Sequence, residues 1–158
     1  MRGMSFDTRR GTRGARQPRG HLLKFGNCLA MGNIRRKGNS GRQVLILTTV
    51  GRKSGATRQS PAAWFPAAGG GWLIVASAAG ARGNPGWYYN LGAHPDQVTI
   101  EVGGRTVPVT AEQLHGAERE AAWQQIITEG PQFAAYQRKT DRVLPVIRLT
   151  ERLPRSDN

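Results

Sequence analysis

Residues 43–50, QVLILTTV, form an unbroken apolar and β-branched run that predicts a strand. Residues 51–57 carry Gly51, Gly55, Arg52 and Lys53 and predict a tight turn. Residues 58–66 predict a second strand, which Pro61 marks as an edge or a bulge. Gly69, Gly70 and Gly71 turn the chain into a third run, WLIVASA, over 72–78. After a loop over 80–86, Pro85 or Gly86 opens a short helix through WYYNLGAH, proline being tolerated in the first turn. Val98, Ile100 and Val102 alternate with Thr99 and Glu101. The alternation resumes at Val107 and Val109 beyond Gly103-Gly104, which predicts a hairpin. Trp123, Ile126 and Ile127 share one face of a helix over 118–128; Gly130-Pro131 breaks it, and a second short helix spans 132–139. Residues 143–149 close the pattern as a strand, with Pro145 again implying an edge. Upstream, Leu22, Phe25, Cys28 and Leu29 make a helical stripe within 21–34, followed by Arg35, Arg36 and Lys37. That segment reads as a packing helix or as a basic amphipathic segment on an anionic membrane. Six strands, about four short helices and antiparallel hairpins predict an α+β fold built on a small barrel, not a parallel sheet.

Composition sharpens this picture. The chain has 158 residues, one domain's worth, and a formal net charge of +13. The charge is uneven: residues 1–60 hold 14 basic and one acidic side chain, whereas residues 61–158 hold nine of each. Residues 1–20 are rich in Arg and Gly and poor in large apolar groups, so they read as a disordered basic tail. The predicted organisation is that tail, a single domain over 21–150, and a C-terminal tail over 151–158. Arg9-Arg10 lacks the apolar stretch and cleavage site of an export signal, which favours a cytoplasmic location. Cys28 is the only cysteine, which excludes a disulfide framework. No apolar run approaches the roughly 20 residues of a membrane-spanning helix.

Most catalytic constellations are missing. His21, His94 and His115 lie far apart and no cluster has ligand spacing, so no metal site is expected. Gly51-Arg52-Lys53-Ser54-Gly55 lacks the order of a P-loop, and Gly80-x-x-Gly83-x-x-Gly86 lacks the context of a dinucleotide fingerprint. Three features remain. Arg52, Lys53 and Arg58 gather on one turn, either as an anion cradle with exposed backbone N–H groups or as a solvated hairpin tip. Trp87, Tyr88 and Tyr89 are adjacent on a short helix and cannot all face one core, so at least one is free to line a pocket unless they simply plug the barrel end. Phe133 and Tyr136 form a helical i, i+3 pair that suits core packing.

Taken in order, several motifs resemble the deazaflavin-dependent nitroreductases, also described as quinone reductases using reduced coenzyme F-420. They are Leu47-Thr48-Thr49-Val50-Gly51-Arg52-Lys53-Ser54-Gly55 with Arg58 and Pro61; Ile74-Val75-Ala76-Ser77; Asn84-Pro85-Gly86-Trp87-Tyr88-Tyr89-Asn90-Leu91; Val102-Gly103-Gly104-Arg105; and Tyr136-Gln137 with Thr140-Asp141-Arg142 before Pro145-Val146. The resemblance spans roughly residues 22–150 and implies a split β-barrel similar to the FMN-binding oxidoreductases. It implies a coenzyme, an 8-hydroxy-5-deazaflavin, that carries a phosphate and a polyglutamate tail. Arg52, Lys53, Ser54, Arg58, Gln59, Ser60 and Pro61 are then expected to contact the phosphate and tail. Ala76 and Ser77 are expected to lie against the ring, and Gly86, Trp87, Tyr88, Tyr89 and Asn90 to close over it. The implied reaction is hydride transfer to a quinone or nitroaromatic acceptor.

The chain departs from the family pattern in two places. The first aromatic of the penultimate helix is Phe133, which has no hydroxyl, so either Tyr136, Tyr88, Ser77 or water donates the proton, or the acceptor differs. Ala78-Ala79 leave open a wall where the family has a longer residue, which predicts a wider pocket. Competing expectations are a basic module for nucleic acid or an anionic membrane surface, and an FMN- or haem-binding split barrel. Related split barrels often dimerise, so a homodimer is also expected.

Overall fold

The computed structural model describes residues 6–15 and 43–153. The expected helix over 21–34 and its basic end lie outside the described residues.

The chain forms β1 (Val44–Val50), β2 (Thr57–Ala63), β3 (Phe65–Pro66), β4 (Trp72–Val75), a 3-10 turn (Ala78–Gly80) and α1 (Gly86–Ala93). It continues through β5 (Val98–Val102), β6 (Arg105–Gln113), α2 (Gly116–Glu129), α3 (Gln132–Lys139) and β7 (Val146–Glu151). Seven strands appear where six were expected, because the second run changes partner at Trp64. Its first half pairs antiparallel with β1, Thr57 opposite Val50, and its second half with β4, Phe65 opposite Leu73. The sheet order β2-β1-β5-β6-β7-β4-β3 therefore starts and ends on one stretch of chain, and the sheet curls into the split barrel.

Alternation decides what each face buries. Leu45 and Leu47 of β1, Val98 and Ile100 of β5, Val107, Val109 and Ala111 of β6, and Ile147 and Leu149 of β7 fill the barrel. Tyr88 and Leu91, one turn apart on α1, plug one end of it. Leu73, Val75 and Val146 face the other way and meet Trp123 and Ile126 of α2 and Phe133 of α3. Arg148 ties these layers together, its Nε 2.9 Å from Glu112 of β6 and its Nη1 2.7 Å from Glu118 of α2. Gly71 is required where it stands: it has φ +93°, and a Cβ there would lie 2.4 Å from the carbonyl oxygen of Leu149.

Two expectations need correction. Pro145 does not mark an edge, because β7 runs between β6 and β4. The proline precedes the first ladder residue, so its missing N–H costs nothing, and its carbonyl accepts from Ala76 N–H at 2.9 Å. Residues 6–15, read as part of a disordered tail, are laid against the barrel. Phe6 packs edge-on to Tyr88 with ring centroids 5.5 Å apart. Gly11 N–H donates to Arg82 O at 2.8 Å, and Ala15 N–H to Gly80 O at 2.9 Å. Low hydrophobicity hid this docking, because specific hydrogen bonds and one aromatic ring hold the segment rather than apolar periodicity.

Candidate active site

The turn after β1 is closed from within. Gly51 N–H donates to Ala56 O at 2.7 Å, and Gly55 N–H to Gly51 O at 2.9 Å. Ala56 N–H donates to Ser54 Oγ at 3.1 Å. Gly55 takes φ +75°, a conformation that glycine adopts without a Cβ clash. Arg52 N–H is also taken, by Asn90 Oδ1 at 3.1 Å. The expected cradle of exposed backbone N–H groups is therefore wrong for Gly51, Arg52, Gly55 and Ala56: the loop's own closure consumes them. What the turn offers is side-chain charge. Arg52, Lys53 and Arg58 are exposed, and none pairs with a carboxylate among the described residues. The Arg52 guanidinium sits 4.7 Å over the ring of Tyr89. Ser54 and Gln59 are exposed beside them, while Ser60 and Pro61 are half-buried along β2. Gln59 Nε2 donates to Thr48 Oγ1 at 3.2 Å.

A second cluster forms around Ser77. Ser77 is backbone-αR at φ −82°, ψ −34°, and it is followed by Ala78 at φ +46° and Ala79 at φ +54°. Two successive non-glycine residues with positive φ cost on the order of 1–3 kcal/mol each and commonly mark functional loops. Gly80 continues at φ +84°, where a Cβ would strike Tyr136 O at 2.7 Å, so α3 presses directly on this turn. Ser77 is nearly buried, yet neither its hydroxyl nor its N–H has a hydrogen-bond partner among the described residues. Its carbonyl is held by Gly80 N–H at 2.8 Å and by Arg142 Nη2 at 2.9 Å.

Arg142 organises the loop. Its buried guanidinium donates from Nη1 to Ala76 O at 3.0 Å and to Asn84 Oδ1 at 2.9 Å, and from Nε to Ala81 O at 3.1 Å. Asn84 then passes the connection on: its Nδ2 donates to Tyr89 Oη at 3.2 Å and to Thr8 O at 2.9 Å. The Arg52 turn and the Ser77 loop are thus joined through Tyr89, Asn84 and Arg142. Asn90 adds a second tie, its Nδ2 donating to Thr49 Oγ1 at 3.1 Å.

Three expected site residues are buried and hydrogen-bonded within the protein. Tyr88 is fully buried; its hydroxyl donates to Gln113 Oε1 at 2.5 Å and accepts Thr8 N–H at 2.9 Å. Burial raises its pKa, so it stays a neutral core phenol and not a proton donor facing a substrate. Asn90 is buried and spends its amide on Thr49 and on the turn's backbone. Ala76 points its methyl into the barrel, with its carbonyl on Arg142 and its N–H on Pro145. Gly86 is exposed with open space at its Cα, and Trp87 and Tyr89 are half-buried at the barrel mouth. Tyr136 is half-buried against Phe133, ring centroids 5.5 Å apart, and no hydrogen-bond partner of its hydroxyl lies among the described residues. Phe133 belongs to the helical core.

Sequence reasoning missed Asn84 and Arg142 as site builders, although both lie in recognised motifs. It also missed Trp64, whose buried indole N–H has no partner among the described residues. Among the described residues no group of His, Cys, Asp or Glu has the arrangement to hold a metal ion, and no helix is long and apolar enough to cross a membrane.

Comparison with known proteins adds a family. A model of the F420H(2)-dependent quinone reductase family matches residues 30–151. An F420H(2)-dependent quinone reductase of Mycobacterium tuberculosis is 39% identical over 112 residues, which cover 68% of this chain and 73% of the relative. The solved structure of an F420-H2 dependent reductase superposes with a TM-score of 0.62 at 38% identity, covering 68% of this chain and 94% of that one. Another solved structure, described as a domain-swapped dimer, gives 0.63 at 31% identity and covers 81% and 98%.

Proposed function

We propose, since this chain belongs to the F420H(2)-dependent quinone reductase family, that it passes a hydride from reduced coenzyme F-420 to a quinone-like acceptor at the mouth of the barrel. The enzyme is a deazaflavin-dependent oxidoreductase, and reduced coenzyme F-420 is its cofactor. The observation that carries the reading is the pairing of two sets of groups left unsatisfied among the described residues: three cations without counter-ions at the Arg52 turn, and a nearly buried Ser77 whose N–H and hydroxyl are unpartnered. These suit the two ends of the coenzyme, a polyanionic tail and a flat ring with hydrogen-bonding edges.

When bound, the reduced coenzyme supplies the hydride; the protein positions and protonates. Arg52, Lys53 and Arg58 grip phosphate and carboxylates, with Arg52 steadied over Tyr89. Ser77 presents its N–H and hydroxyl to the ring side. Trp87 and Tyr89 cover the mouth and limit water. The acceptor oxygen takes its proton from Ser77 Oγ or Tyr136 Oη, the two expected donors whose hydroxyls are uncommitted among the described residues. The small Ala78 and Ala79 leave room beside Ser77, so bulky quinones and nitroaromatics are accommodated; an acceptor panel that reacts fastest with its smallest member would count against this. The reading includes a cytoplasmic enzyme whose Arg9, Arg10 and Arg13, held beside the barrel, attract an anionic membrane surface where lipid-soluble quinones reside. It also includes a homodimer.

The test mixes purified protein, reduced coenzyme F-420 and menadione, with a reduced nicotinamide and reduced FMN as controls. Oxidation of the deazaflavin alone supports the proposal. Absence of coenzyme binding at micromolar concentration, or oxidation only of the controls, overturns it.

A further inference from the structure

The positive charge of Arg142 is in an unusual setting. Its side chain is nearly fully buried, and its four hydrogen bonds go to neutral acceptors: the carbonyls of Ala76, Ser77 and Ala81 and the amide oxygen of Asn84. No carboxylate lies within ion-pair distance of it among the described residues. The adjacent Asp141 is turned to residues 6–15, where it accepts from the backbone N–H of Thr12 at 2.8 Å and from the Thr12 hydroxyl. The other ionisable groups around this loop are Tyr88 and Tyr89 of α1, Tyr136 and Lys139 of α3, Arg82, and Arg10, whose guanidinium approaches Gly83. None of them is a carboxylate. A buried cation is costly without a counter-charge, and bracing three carbonyls does not require one.

The orientation of the peptides says where a counter-charge belongs. All peptide bonds here are trans, so the Ala76–Ser77 unit that turns its carbonyl to the guanidinium turns the N–H of Ser77 the opposite way. Among the described residues neither that N–H nor the Ser77 hydroxyl has a hydrogen-bond partner. The guanidinium polarises this peptide and strengthens its donor end.

We propose that Arg142, acting through the Ala76–Ser77 peptide, stabilises the anionic form of the ring bound against Ser77. The inference rests on the reading that the deazaflavin lies there. The ring's 8-hydroxyl is conjugated with the rest of the system, so its ionisation spreads negative charge over the ring and changes its absorbance. Arg142 is a positioning and electrostatic residue in this account and touches no reacting atom.

The experiment is a pH titration of the absorbance of oxidised coenzyme F-420, free and bound, with binding measured in parallel by fluorescence. Arg142 variants risk unfolding the loop, so the charge is instead compensated in place. Asn84→Asp sets a carboxylate against Arg142 Nη1, whereas Asn84→Ala removes the same amide without adding charge. Both lose the N–H donated to Thr8 O, and although an aspartate can still accept from the Tyr89 hydroxyl, melting temperature measured on both variants reads any structural difference separately from the ring's ionisation. In the wild type the bound ring is expected to ionise about one pH unit below the free ring, a tenfold shift. Asn84→Asp returns that ionisation most of the way to the free value, and Asn84→Ala leaves it low. Binding with unshifted ionisation, or equal shifts in the two variants, overturns the role of Arg142 and leaves the cofactor reading standing. No binding by the wild type overturns both.

Discussion

Tyr88 and Tyr136 are both phenols in family motifs, and their surroundings separate them. Tyr88→Phe leaves Gln113 Oε1 and Thr8 N–H without the hydroxyl they share and is expected to cost about 1–3 kcal/mol of stability by denaturant unfolding, with little change in turnover at saturating substrates. Tyr136→Phe and Ser77→Ala are expected to leave the fold intact. If one of these hydroxyls donates the proton, its loss lowers turnover about 10²-fold or more, and steady-state kinetics identify which one. At the exposed turn, Arg52→Ala or Lys53→Ala should each weaken coenzyme binding roughly 3–10-fold, more for long glutamate tails and less at high salt. Fluorescence titrations with tails of different length check this. The sequence placed these side chains in the right motifs but could not tell Tyr88 from Tyr89. Adjacent helical positions differ by about 100° in direction, and only the barrel beneath α1 decides which ring goes inside.

Elements were legible where the apolar period was strong. The alternation of β5 and β6 and the break at Gly130-Pro131 translate directly into the hairpin and the separation of α2 from α3. The run over 58–66 could not show its change of partner at Trp64, because period-2 patterning carries no information about which neighbour a strand pairs with. Residues 6–15 were misread for a related reason: their ordering depends on partners about 70–130 positions away. Asp141 supplies a charged acceptor to that docking, and its pKa is held down to about 2, mainly by the Thr12 hydroxyl and N–H. Its folded pKa lies below the ordinary 3.8, so its stabilising contribution is present above about pH 4 and is lost as pH falls toward 2. Limited trypsin cleavage after acid exposure, or amide exchange at Thr12 and Arg13, is expected to show the segment released over that interval. Asp141→Asn should release it already at neutral pH and abolish the acid dependence.

For the molecule as a whole, this docking changes how the N-terminal charge is read. A chain lacking residues 1–15 loses the half-buried Phe6 ring, worth about 1–2 kcal/mol, and the bonds of Thr8 to Tyr88, Asn84 and Gln113. It is expected to melt several degrees lower than the full chain and to bind the coenzyme more weakly through a loosened Asn84. Truncation that removed only nucleic-acid affinity, with melting and coenzyme binding unchanged, would favour the basic-module alternative. The sequence by itself determined the antiparallel barrel, the cationic turn and the family. Each is written in local patterns: period-2 alternation, glycine turns and contiguous motifs. Only the tertiary structure decided that Tyr88 is a core phenol, that Asn90 braces the turn, and that Arg142 stands buried behind Ser77. Burial and hydrogen-bond partnership are set by residues distant along the chain, and no local pattern records them.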